Sequence, residues 1–511
     1  MISLVCIISV LCVLSLIWAS RRTRVGYPPG PKGLPVLGNI LQISGGLLFL
    51  QLAEWAKTQG PIYTVMALGS PLVVINSAKI AGDLLDRSSS ATSDRPALIK
   101  ACDFQTKGWL IVLLNRGERW RWMRKATHDQ MNVRDVKTFQ PLQEDEATAL
   151  LKGLACRPDI PLVEHLHRVS ASIGWRVLWG FPAIPVGGPD PSHRIDELSG
   201  PVFKASVPGA SIVDIVPSLK PIITRSKFLM KESDALYEEM TAIFTRLFSS
   251  ARTTKEWGTS FAAKLRDQER SAAVSSAHGA AWLTGALFLA ANETTATTLR
   301  YFTLAMVLYP DRFEAARKEL DSVLGGGRRP PTFSDFDDLP RVEAIVKEVL
   351  RWRPPAPLGI PHVTTEDVRC NGYAIPKGTF LVPNVWSICR DPSIYSDGDQ
   401  FDPSRFLDEN GRLEPGAPDT HNDYIPFGFG RRVCSGKALA TNSLWICIAS
   451  ILWAFTLEPA KDADGTAIIP SLTDFVDTGA TVQPAPFPVK VIPRFPDLLE
   501  RVDASMVPIN Y

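Results

Sequence analysis

Hydrophobic residues are concentrated at the start of the chain. Residues 2–18 are apolar apart from three serines, and an arginine-rich segment at 21–24 follows them. A helix of this length spans roughly 26 Å, which is enough to cross the hydrocarbon core of a bilayer. The arginines favour retention of the following chain on the cytoplasmic side. The pattern predicts a single transmembrane signal anchor at 1–20; the alternative is a cleaved signal peptide, which usually carries positive residues before its apolar run.

After this segment the pattern changes to a mixture of helical and strand-like stretches. Residues 21–38 are basic and proline-rich, which predicts a stiff linker, and 39–511 is predicted to be one catalytic domain. Helical periodicity dominates 117–310. Short strands are predicted at 61–76, 367–383 and 466–493, the first of these as a hairpin with a turn at 69–71. The predicted fold class is mainly α with small β-sheets, an α+β arrangement.

Composition narrows the functional classes. Across 511 residues the formal net charge is only +2 and no basic run recurs, which argues against a nucleic-acid partner. The eight cysteines are scattered without CxxC pairs. That distribution is not a disulfide framework or a structural zinc pattern, and it fits a reducing compartment.

One cysteine lies in a segment with distinctive chemistry. Residues 427–436 read FGFGRRVCSG, and an apolar helix is predicted to follow at 437–453. Glycines on both sides of Cys434 let the backbone turn tightly against a flat ligand. The start of a helix lowers the pKa of a thiol, and Arg432 can pair with an anionic group on the same ligand. These properties suit a haem with its propionates, although a cysteine considered alone is more often an ordinary buried residue.

The spacing Phe-x-x-Gly-x-Arg-x-Cys-x-Gly resembles that of the cytochrome P450 family. The resemblance implies the P450 fold and a heme b cofactor, iron protoporphyrin IX. It further implies that Cys434 is the axial thiolate ligand of the iron, that Arg432 binds a haem propionate, and that Phe427 packs beside the sulfur. It covers nearly the whole chain after residue 27 and extends to membrane-anchored fungal members of secondary metabolism.

Further residues match positions where this family contacts the haem. Trp120 and Arg124 are four residues apart and so share a helix face. They resemble the family's Trp-x-x-x-Arg helix, which implies that both reach a haem propionate. His362 occupies a position where the family often carries another propionate contact. Each of these residues, taken alone, is equally compatible with a structural role.

A second set of charged residues is expected to stabilise the fold. Glu348 and Arg351 form an i,i+3 pair on a helix that is otherwise apolar, and Arg405 follows in the segment FDPSRF. The resemblance implies that the three residues form a buried charge network. Because removing one partner of such a network strands the others, its role would be structural.

One long helix is predicted at 282–309, ended by Pro310. Ala290, Ala291 and Thr294 share one face, which leaves room for a small diatomic ligand, and a threonine hydroxyl can bond the carbonyl four residues earlier. The resemblance implies that Thr294 hydrogen-bonds the bound dioxygen and that Glu293 is the acid of a proton relay. Ala291 departs from the family's usual glycine, so its methyl group is expected to narrow this face.

The resulting prediction is a haem-thiolate monooxygenase that oxidises a lipophilic small molecule with dioxygen. No flavin or nicotinamide fingerprint is present, so electrons are expected from a separate NADPH-cytochrome P450 reductase that docks around Arg431 and Lys437. The predicted location is the endoplasmic reticulum membrane, single-pass, with the catalytic domain cytoplasmic. By resemblance, the substrate pocket is lined by 102–112, 356–360 and 475–481 and by the region around Phe288. A terpenoid of fungal secondary metabolism is the first candidate, followed by polyketides and indoles.

Two alternatives remain open at this stage. One is a reductase-independent peroxygenase or isomerase of the same fold, which the presence of Glu293 and Thr294 disfavours. The other is a non-catalytic, membrane-anchored haem sensor or carrier, which would tolerate loss of the oxygen-side threonine.

Overall fold

The structure is a computed structural model that describes residues 26–35, 37–43, 47–207, 209–254, 258–269, 276–414, 424–479 and 481–504. The predicted anchor at 1–20 lies outside these residues. The α-helices are α1 (Leu48–Gln59), α2 (Ala78–Ala81), α3 (Glu118–Met131), α4 (Gln140–Cys156), α5 (Leu162–Trp179), α6 (His193–Ala205), α7 (Ile212–Ile215), α8 (Lys220–Arg225), α9 (Lys227–Ser249), α10 (Phe261–Glu269), α11 (Ala277–Leu308), α12 (Glu314–Val323), α13 (Pro340–Trp352), α14 (Val385–Ile388), α15 (Lys437–Ala454) and α16 (Leu498–Ala504).

The strands are short and occur in several small sheets. They are β1 (Ile62–Ala67), β2 (Ser70–Ile75), β3 (Thr253–Thr254), β4 (Gly258–Thr259), β5 (His362–Val363), β6 (Val368–Cys370), β7 (Tyr373–Ile375), β8 (Phe380–Pro383), β9 (Phe455–Pro459), β10 (Phe475–Asp477), β11 (Val482–Pro484) and β12 (Val489–Pro493). The mainly helical α+β class predicted from the sequence is confirmed. Strand β9 was not predicted, because its residues continue directly from the apolar run of α15.

Contacts within the chain define two compact units. The first contains the described residues of 1–96, 356–398 and 416–433, and the second contains those of 97–355, 399–415 and 434–511. The sequence carries no linker at these boundaries, because each unit is assembled from segments that are far apart along the chain.

The first unit is built on a four-stranded sheet of order β1-β2-β8-β5. Strands β1 and β2 form the predicted hairpin, with Ile62 opposite Ile75 and Ala67 opposite Ser70. Its turn lies one residue earlier than predicted, at Leu68 and Gly69, both of which have positive φ. Helix α1 covers the sheet, and the Tyr63 hydroxyl donates a hydrogen bond of 2.6 Å to the Leu52 carbonyl.

The second unit is organised around α11, which is apolar on nearly all of its faces. Helix α5 packs along it, with the Trp179 and Phe288 rings 5.2 Å apart. Helix α9 packs on it as well, and there Gly285 makes room for Phe244, since a Cβ at position 285 would lie 2.5 Å from the Phe244 ring. The helix predicted at 282–309 therefore exists but begins earlier, where the Ser276 hydroxyl accepts a hydrogen bond from the Gly279 N–H.

Among the described residues, α15 is the one helix long and apolar enough to cross a membrane, and most of it is buried inside the protein. It is the helix predicted after the cysteine loop.

Candidate haem site

Cys434 lies in the second unit at the start of α15. Its side chain is accessible to solvent. The protein around the thiol raises its pKa by desolvation, whereas hydrogen bonds from the Gly436 and Lys437 N–H groups and the positive charges of Arg124 and Lys437 lower it. A side chain at position 436 would come to about 3.9 Å from the sulfur. Desolvation is the larger effect, so the pKa of the thiol is raised overall, while these donors and cations oppose the rise by favouring the anionic form.

Helix α3 brings the two predicted haem-contact residues of this unit toward the cysteine. The Arg124 guanidinium donates a hydrogen bond of 3.0 Å to the hydroxyl of Ser435, the residue next to Cys434. Burial lowers the pKa of Arg124, and the neighbouring Cys434 raises it. Trp120, one turn earlier, is buried. The i,i+4 spacing read from the sequence therefore places Arg124 beside the cysteine, with Trp120 on the same face of α3.

Helix α11 has an accessible segment in its otherwise buried surface. Ala290 is exposed, and Ala291 and Thr294 are half-buried, in the middle of a helix whose neighbouring turns are buried. The Thr294 hydroxyl donates a 2.8 Å hydrogen bond to the Ala290 carbonyl, as the sequence predicted. Ala290 and Thr294, which are one turn apart, therefore lie on an accessible face of α11, and Ala291 lies beside that face.

The departure from glycine at Ala291 is accommodated by the neighbouring helix. A Cβ built on Gly174 of α5 would lie 3.9 Å from the Ala291 methyl, so this methyl lies on the side of α11 that faces α5. One turn earlier on α5, the Ser170 hydroxyl donates hydrogen bonds of 3.2 Å to the Ala291 carbonyl and 2.5 Å to the Asn292 carbonyl. Helix α11 continues through this turn without a break.

Glu293 points toward strand β11. Its Oε1 accepts hydrogen bonds of 3.0 Å from the Thr481 hydroxyl and 2.7 Å from the Gln483 amide. Glu293 was predicted from the sequence, but these two partners were not. They lie almost two hundred residues further along the chain, in a short segment without a clear alternation of polar and apolar residues.

The first unit contributes a cluster of two arginines and a histidine, of which Arg95 and His362 are buried and Arg432 is half-buried. The Arg432 Nε donates to the Ser93 carbonyl at 2.6 Å, and His362 Nδ1 lies 2.7 Å from the Thr92 carbonyl. Arg95, which the sequence analysis did not select, donates to the carbonyls of residues 360 and 361. An arginine in an irregular segment directly before a proline gives no periodic signal that could have identified it.

The two arginines repel each other, and both disfavour protonation of His362. Burial and the positive charge of Arg432 lower the pKa of Arg95. Burial, Arg95 and Arg432 also lower the pKa of His362, while the Thr92 carbonyl raises it. Concentrating buried positive charge is costly unless an anion balances it. The cluster is therefore suited to a carboxylate ligand.

In the first unit, the cysteine loop packs closely against the backbone near Leu85 at the position of Gly430. Gly430 has a φ of +51°, and a Cβ there would meet the Leu85 carbonyl oxygen at 2.2 Å. Its N–H donates to the Asp86 carboxylate. Phe427 packs against Tyr424, with ring centroids 5.9 Å apart. Any side chain at position 430 would force the loop away from its support.

The predicted charge network is assembled within the second unit. Glu348 is fully buried and accepts from Arg351 Nε at 2.6 Å and Nη2 at 2.7 Å. Arg405 Nε lies 3.3 Å from the same carboxylate, and the Asp402 N–H donates to it at 2.7 Å. A second buried network, formed by Glu146 with Arg168 and Arg176, was missed because its members lie on two different helices.

One predicted pocket residue is placed differently. Phe288 is fully buried, and its ring packs against Trp175 and Trp179. Its side chain belongs to the interface between α5 and α11, so it does not line an accessible cavity. Single-sequence reasoning placed it near the substrate because it precedes the oxygen-side turn by only a few residues.

Each unit, taken separately, fits part of a haem. The second unit offers an accessible thiol supported by N–H groups and cations, together with an open face of small residues; the first offers buried cations suited to propionates. Heme b combines an iron that takes a thiolate with two carboxylates. This donor chemistry is that of the haem-thiolate proteins.

Comparison with known proteins identifies the family. The family model described as Cytochrome P450 matches residues 28–485. The chain is 41% identical over 481 residues to cytochrome P450 monooxygenase 253 of Postia placenta, covering 93% of this chain and 90% of that protein. It is 34% identical over 478 residues to cytochrome P450 monooxygenase claR of Ampulloclitocybe clavipes, covering 92% and 87% respectively. The chain belongs to the cytochrome P450 family.

Solved structures agree on the fold. Two zebra fish cytochrome P450 structures, one with abiraterone and one with progesterone, give TM-scores of 0.69 and 0.71 at 24% identity. Each match covers 88% of this chain and 100% of the solved chain. The predicted family, monooxygenase class and heme b cofactor with a cysteine thiolate are confirmed. Such an enzyme uses dioxygen, a small-molecule substrate and a redox partner.

Proposed function

We propose that Cys434 supplies the axial thiolate and that Arg432, His362, Trp120 and Arg124 bind the haem propionates, with Phe427 packed beside the sulfur. The observation that carries this proposal is the geometry at the start of α15: an accessible Cys434 thiol that accepts hydrogen bonds from the Gly436 and Lys437 N–H groups, with the positive charge of Arg124 nearby. When bound, the haem supplies the activation of dioxygen for insertion of one oxygen atom into a substrate C–H bond. Arg95 joins the propionate contacts, because its buried charge faces the same cluster as His362 and Arg432.

On the oxygen side, Thr294 and Glu293 handle protons. The Thr294 hydroxyl donates its hydrogen bond to the Ala290 carbonyl, which leaves the lone pairs of its oxygen available as acceptors on the accessible face of α11. The Glu293 carboxylate is held by its Oε1, and its Oε2 accepts no hydrogen bond from the described part of the chain. Glu293 can therefore take a proton from solvent through Oε2 and pass it toward Thr294.

The substrate in this proposal is lipophilic, and a fungal terpenoid is the first candidate. Support comes from the apolar residues around the predicted pocket segment, where Ile99, Phe104, Val213 and Met230 form a buried cluster. The fungal relatives are named as monooxygenases and leave the substrate open. Metabolite profiling of a strain lacking the gene tests the class: accumulation of an unoxidised terpenoid supports it, and accumulation of a polyketide or indole contradicts it.

The proposed electron donor is NADPH-cytochrome P450 reductase. Basic residues near the cysteine support this assignment: Arg431 is exposed in the first unit, and Arg121 and Lys125 are exposed on α3 in the second. Charge reversal at Arg431 and at Lys437 is expected to slow reduction by the reductase, with a steep dependence on ionic strength. An unchanged reduction rate in both variants would remove this docking assignment.

We also propose anchoring to the endoplasmic reticulum membrane with the catalytic domain in the cytoplasm. The apolar segment at 2–18 supports this, as do exposed apolar side chains of the second unit, among them Ile212, Ile222 and Phe228. Fractionation of the full chain and of a chain lacking residues 1–20 tests the anchor. Release of the shortened chain by salt, with retention of the full chain, is the expected result.

One experiment distinguishes this function from its alternatives. Product formation that requires dioxygen, NADPH and the reductase supports the monooxygenase. Product formation with hydrogen peroxide alone, at an equal rate, supports the peroxygenase, and the absence of turnover under both conditions supports a haem sensor.

A further inference from the structure

The carboxylate of Glu293 has two donors on one short strand segment. Thr481 and Gln483 are two residues apart, so their side chains point to the same face of the chain. Both donate to the same oxygen atom of Glu293, Oε1, at 3.0 Å and 2.7 Å. Thr481 is almost fully buried and Gln483 is nine-tenths buried. The carboxylate is therefore held at one oxygen while the other stays available.

The orientation of the Gln483 amide is determined by a third residue. Arg300 donates a hydrogen bond from Nη1 to the Gln483 Oε1. Because a guanidinium can only donate, it selects the amide oxygen and turns the amide nitrogen toward Glu293. Arg300 lies seven residues after Glu293 on α11, two turns along the same face. Burial lowers the pKa of Arg300, and the charge of Glu293 raises it, so the two residues also interact electrostatically.

The position of this network matters because Glu293 and Thr294 are consecutive residues on a helix. Successive helical side chains differ by about 100° in direction, so an untethered Glu293 can rotate away from the face that carries Thr294. A fixed Oε1 restricts the carboxylate to rotamers that keep Oε2 in one place. A side chain can act as a general acid or base only if it lies within hydrogen-bond reach of the group that takes or gives the proton. The position of Oε2 is therefore as important as the pKa of the carboxyl group.

We propose that Gln483 is a positioning residue for proton delivery, acting through Glu293 in an orientation set by Arg300. The inference rests on the proposed role of Glu293. In this proposal, β11 and the residue before it do more than pack against α11: the Gln483 amide holds Glu293 Oε1 and so places Oε2, and the Thr481 hydroxyl donates to the same oxygen Oε1.

The test compares Gln483→Leu with Gln483→Glu, in the haem-bound full chain with reductase and NADPH. Gln483→Leu removes all three side-chain hydrogen bonds of Gln483, with Glu293, Arg300 and Thr481, whereas Gln483→Glu keeps an acceptor for Arg300 and removes the donor to Glu293 and Thr481. The measured quantity is the fraction of consumed dioxygen recovered as hydrogen peroxide. Oxygenation of the substrate with release of one water consumes two electrons and two protons for each dioxygen, and release of peroxide consumes the same number. The two outcomes differ in whether the O–O bond is broken, which requires protons delivered to the correct oxygen atom, so misplaced proton delivery raises the peroxide fraction. We expect severalfold more peroxide in both variants.

Gln143→Leu is the matched control. Gln143 is also a buried glutamine, and its amide joins α4 to α15 by donating to the Leu439 carbonyl and the Ser443 hydroxyl. These two hydrogen bonds do not involve Glu293. Gln143→Leu and Gln483→Leu each lose a buried amide, so both are expected to lower stability. Only the two Gln483 variants are expected to raise the peroxide fraction. An equal rise in Gln143→Leu contradicts the proposal.

A second readout does not depend on turnover. The infrared carboxylate band of the resting protein that disappears in Glu293→Gln is assigned to Glu293, and it should shift in both Gln483 variants and stay in place in Gln143→Leu. An unshifted band contradicts the hydrogen bond from Gln483.

Combining each Gln483 variant with Glu293→Gln distinguishes the role of Glu293 in proton delivery from the positioning role of Gln483. If Glu293→Gln raises the peroxide fraction and adding Gln483→Leu changes nothing more, Gln483 acts through Glu293. If Glu293→Gln raises it but Gln483→Leu alone does not, the positioning role of Gln483 is wrong and the role of Glu293 stands. If Glu293→Gln has no effect, both are wrong.

Discussion

Removing the negative charge of Glu348 is expected to destabilise the second unit strongly. The carboxylate accepts from Arg351 at 2.6 and 2.7 Å, from the Asp402 N–H at 2.7 Å and from Arg405 at 3.3 Å. Glu348 and Arg351 are buried, and the Arg405 side chain is only 12% exposed. Glu348→Gln leaves two cations without their counter-charge and turns an amide donor toward one of them. Breaking a buried pair in this way costs about 3–5 kcal/mol.

That magnitude is large relative to the whole stability of a folded protein, which is about 5–15 kcal/mol. The assay is urea unfolding of the haem-bound protein, followed by tryptophan fluorescence and by haem absorbance. Glu54→Gln is the control, since the Glu54–Lys57 pair is exposed on both sides and such pairs contribute about 0–1 kcal/mol. The double variant Glu348→Leu/Arg351→Leu should cost less than the sum of its two single variants, because Arg351 is then no longer left without its counter-charge, and Arg405 is the one cation that remains unbalanced.

A loss below about 1 kcal/mol in Glu348→Gln, equal to that of the exposed control, would refute this reasoning. It would mean that water or a rearranged neighbour compensates the two arginines. Additivity of the Leu double variant would lead to the same conclusion.

Three further predictions concern the second unit. Glu146→Gln should lower stability by about 3 kcal/mol or more in the same urea assay, because Arg168 and Arg176 lose their shared buried counter-charge, and a loss equal to that of an exposed control would contradict it. Lys107, in the predicted pocket segment 102–112, contacts Asp234 on α9 at 2.5 Å, and Lys107→Met breaks this contact. The variant should therefore exchange its ligand faster, as measured by stopped-flow absorbance, and the wild-type rate should approach that of the variant at high salt. Burial raises the pKa of Cys102 to about 11, so alkylation of this thiol, followed by peptide mass spectrometry, should be slow at pH 8 and accelerate about tenfold per pH unit up to that pKa; a pH-independent rate would contradict it.

The parts of the fold that were predictable are those with a local periodic signal. The β1–β2 hairpin shows alternation with a turn between two β-rich runs, and α11 and α15 are long apolar helices ended by a proline or a change of pattern. The division into two units could not be predicted, because each unit joins segments from distant parts of the sequence. Strand β9 was hidden by the apolar helix before it.

The candidate site divides in the same way. Cys434, Arg124 and Thr294 follow from short motifs, since their partners lie within a few residues or at helical spacing. Arg95 and Gln483 could not be found from the sequence, because their significance depends on a charge cluster and a strand pairing that only the folded chain creates. Ala291 was a departure in the sequence, and the structure explains it: the small residue opposite it is Gly174 on α5.

The absorption spectrum of the reduced, carbon monoxide-bound protein, recorded for wild type and for Cys434→His, shows directly whether Cys434 binds the haem iron. The wild type is expected to show the band of a thiolate-ligated haem. Cys434→His should move the band to the position of a histidine-ligated haem, as in globins. Cys156→Ser, which changes an exposed cysteine elsewhere in the chain, should leave the spectrum unchanged. Retention of the thiolate-type band in Cys434→His would contradict the assignment of Cys434 as the iron ligand.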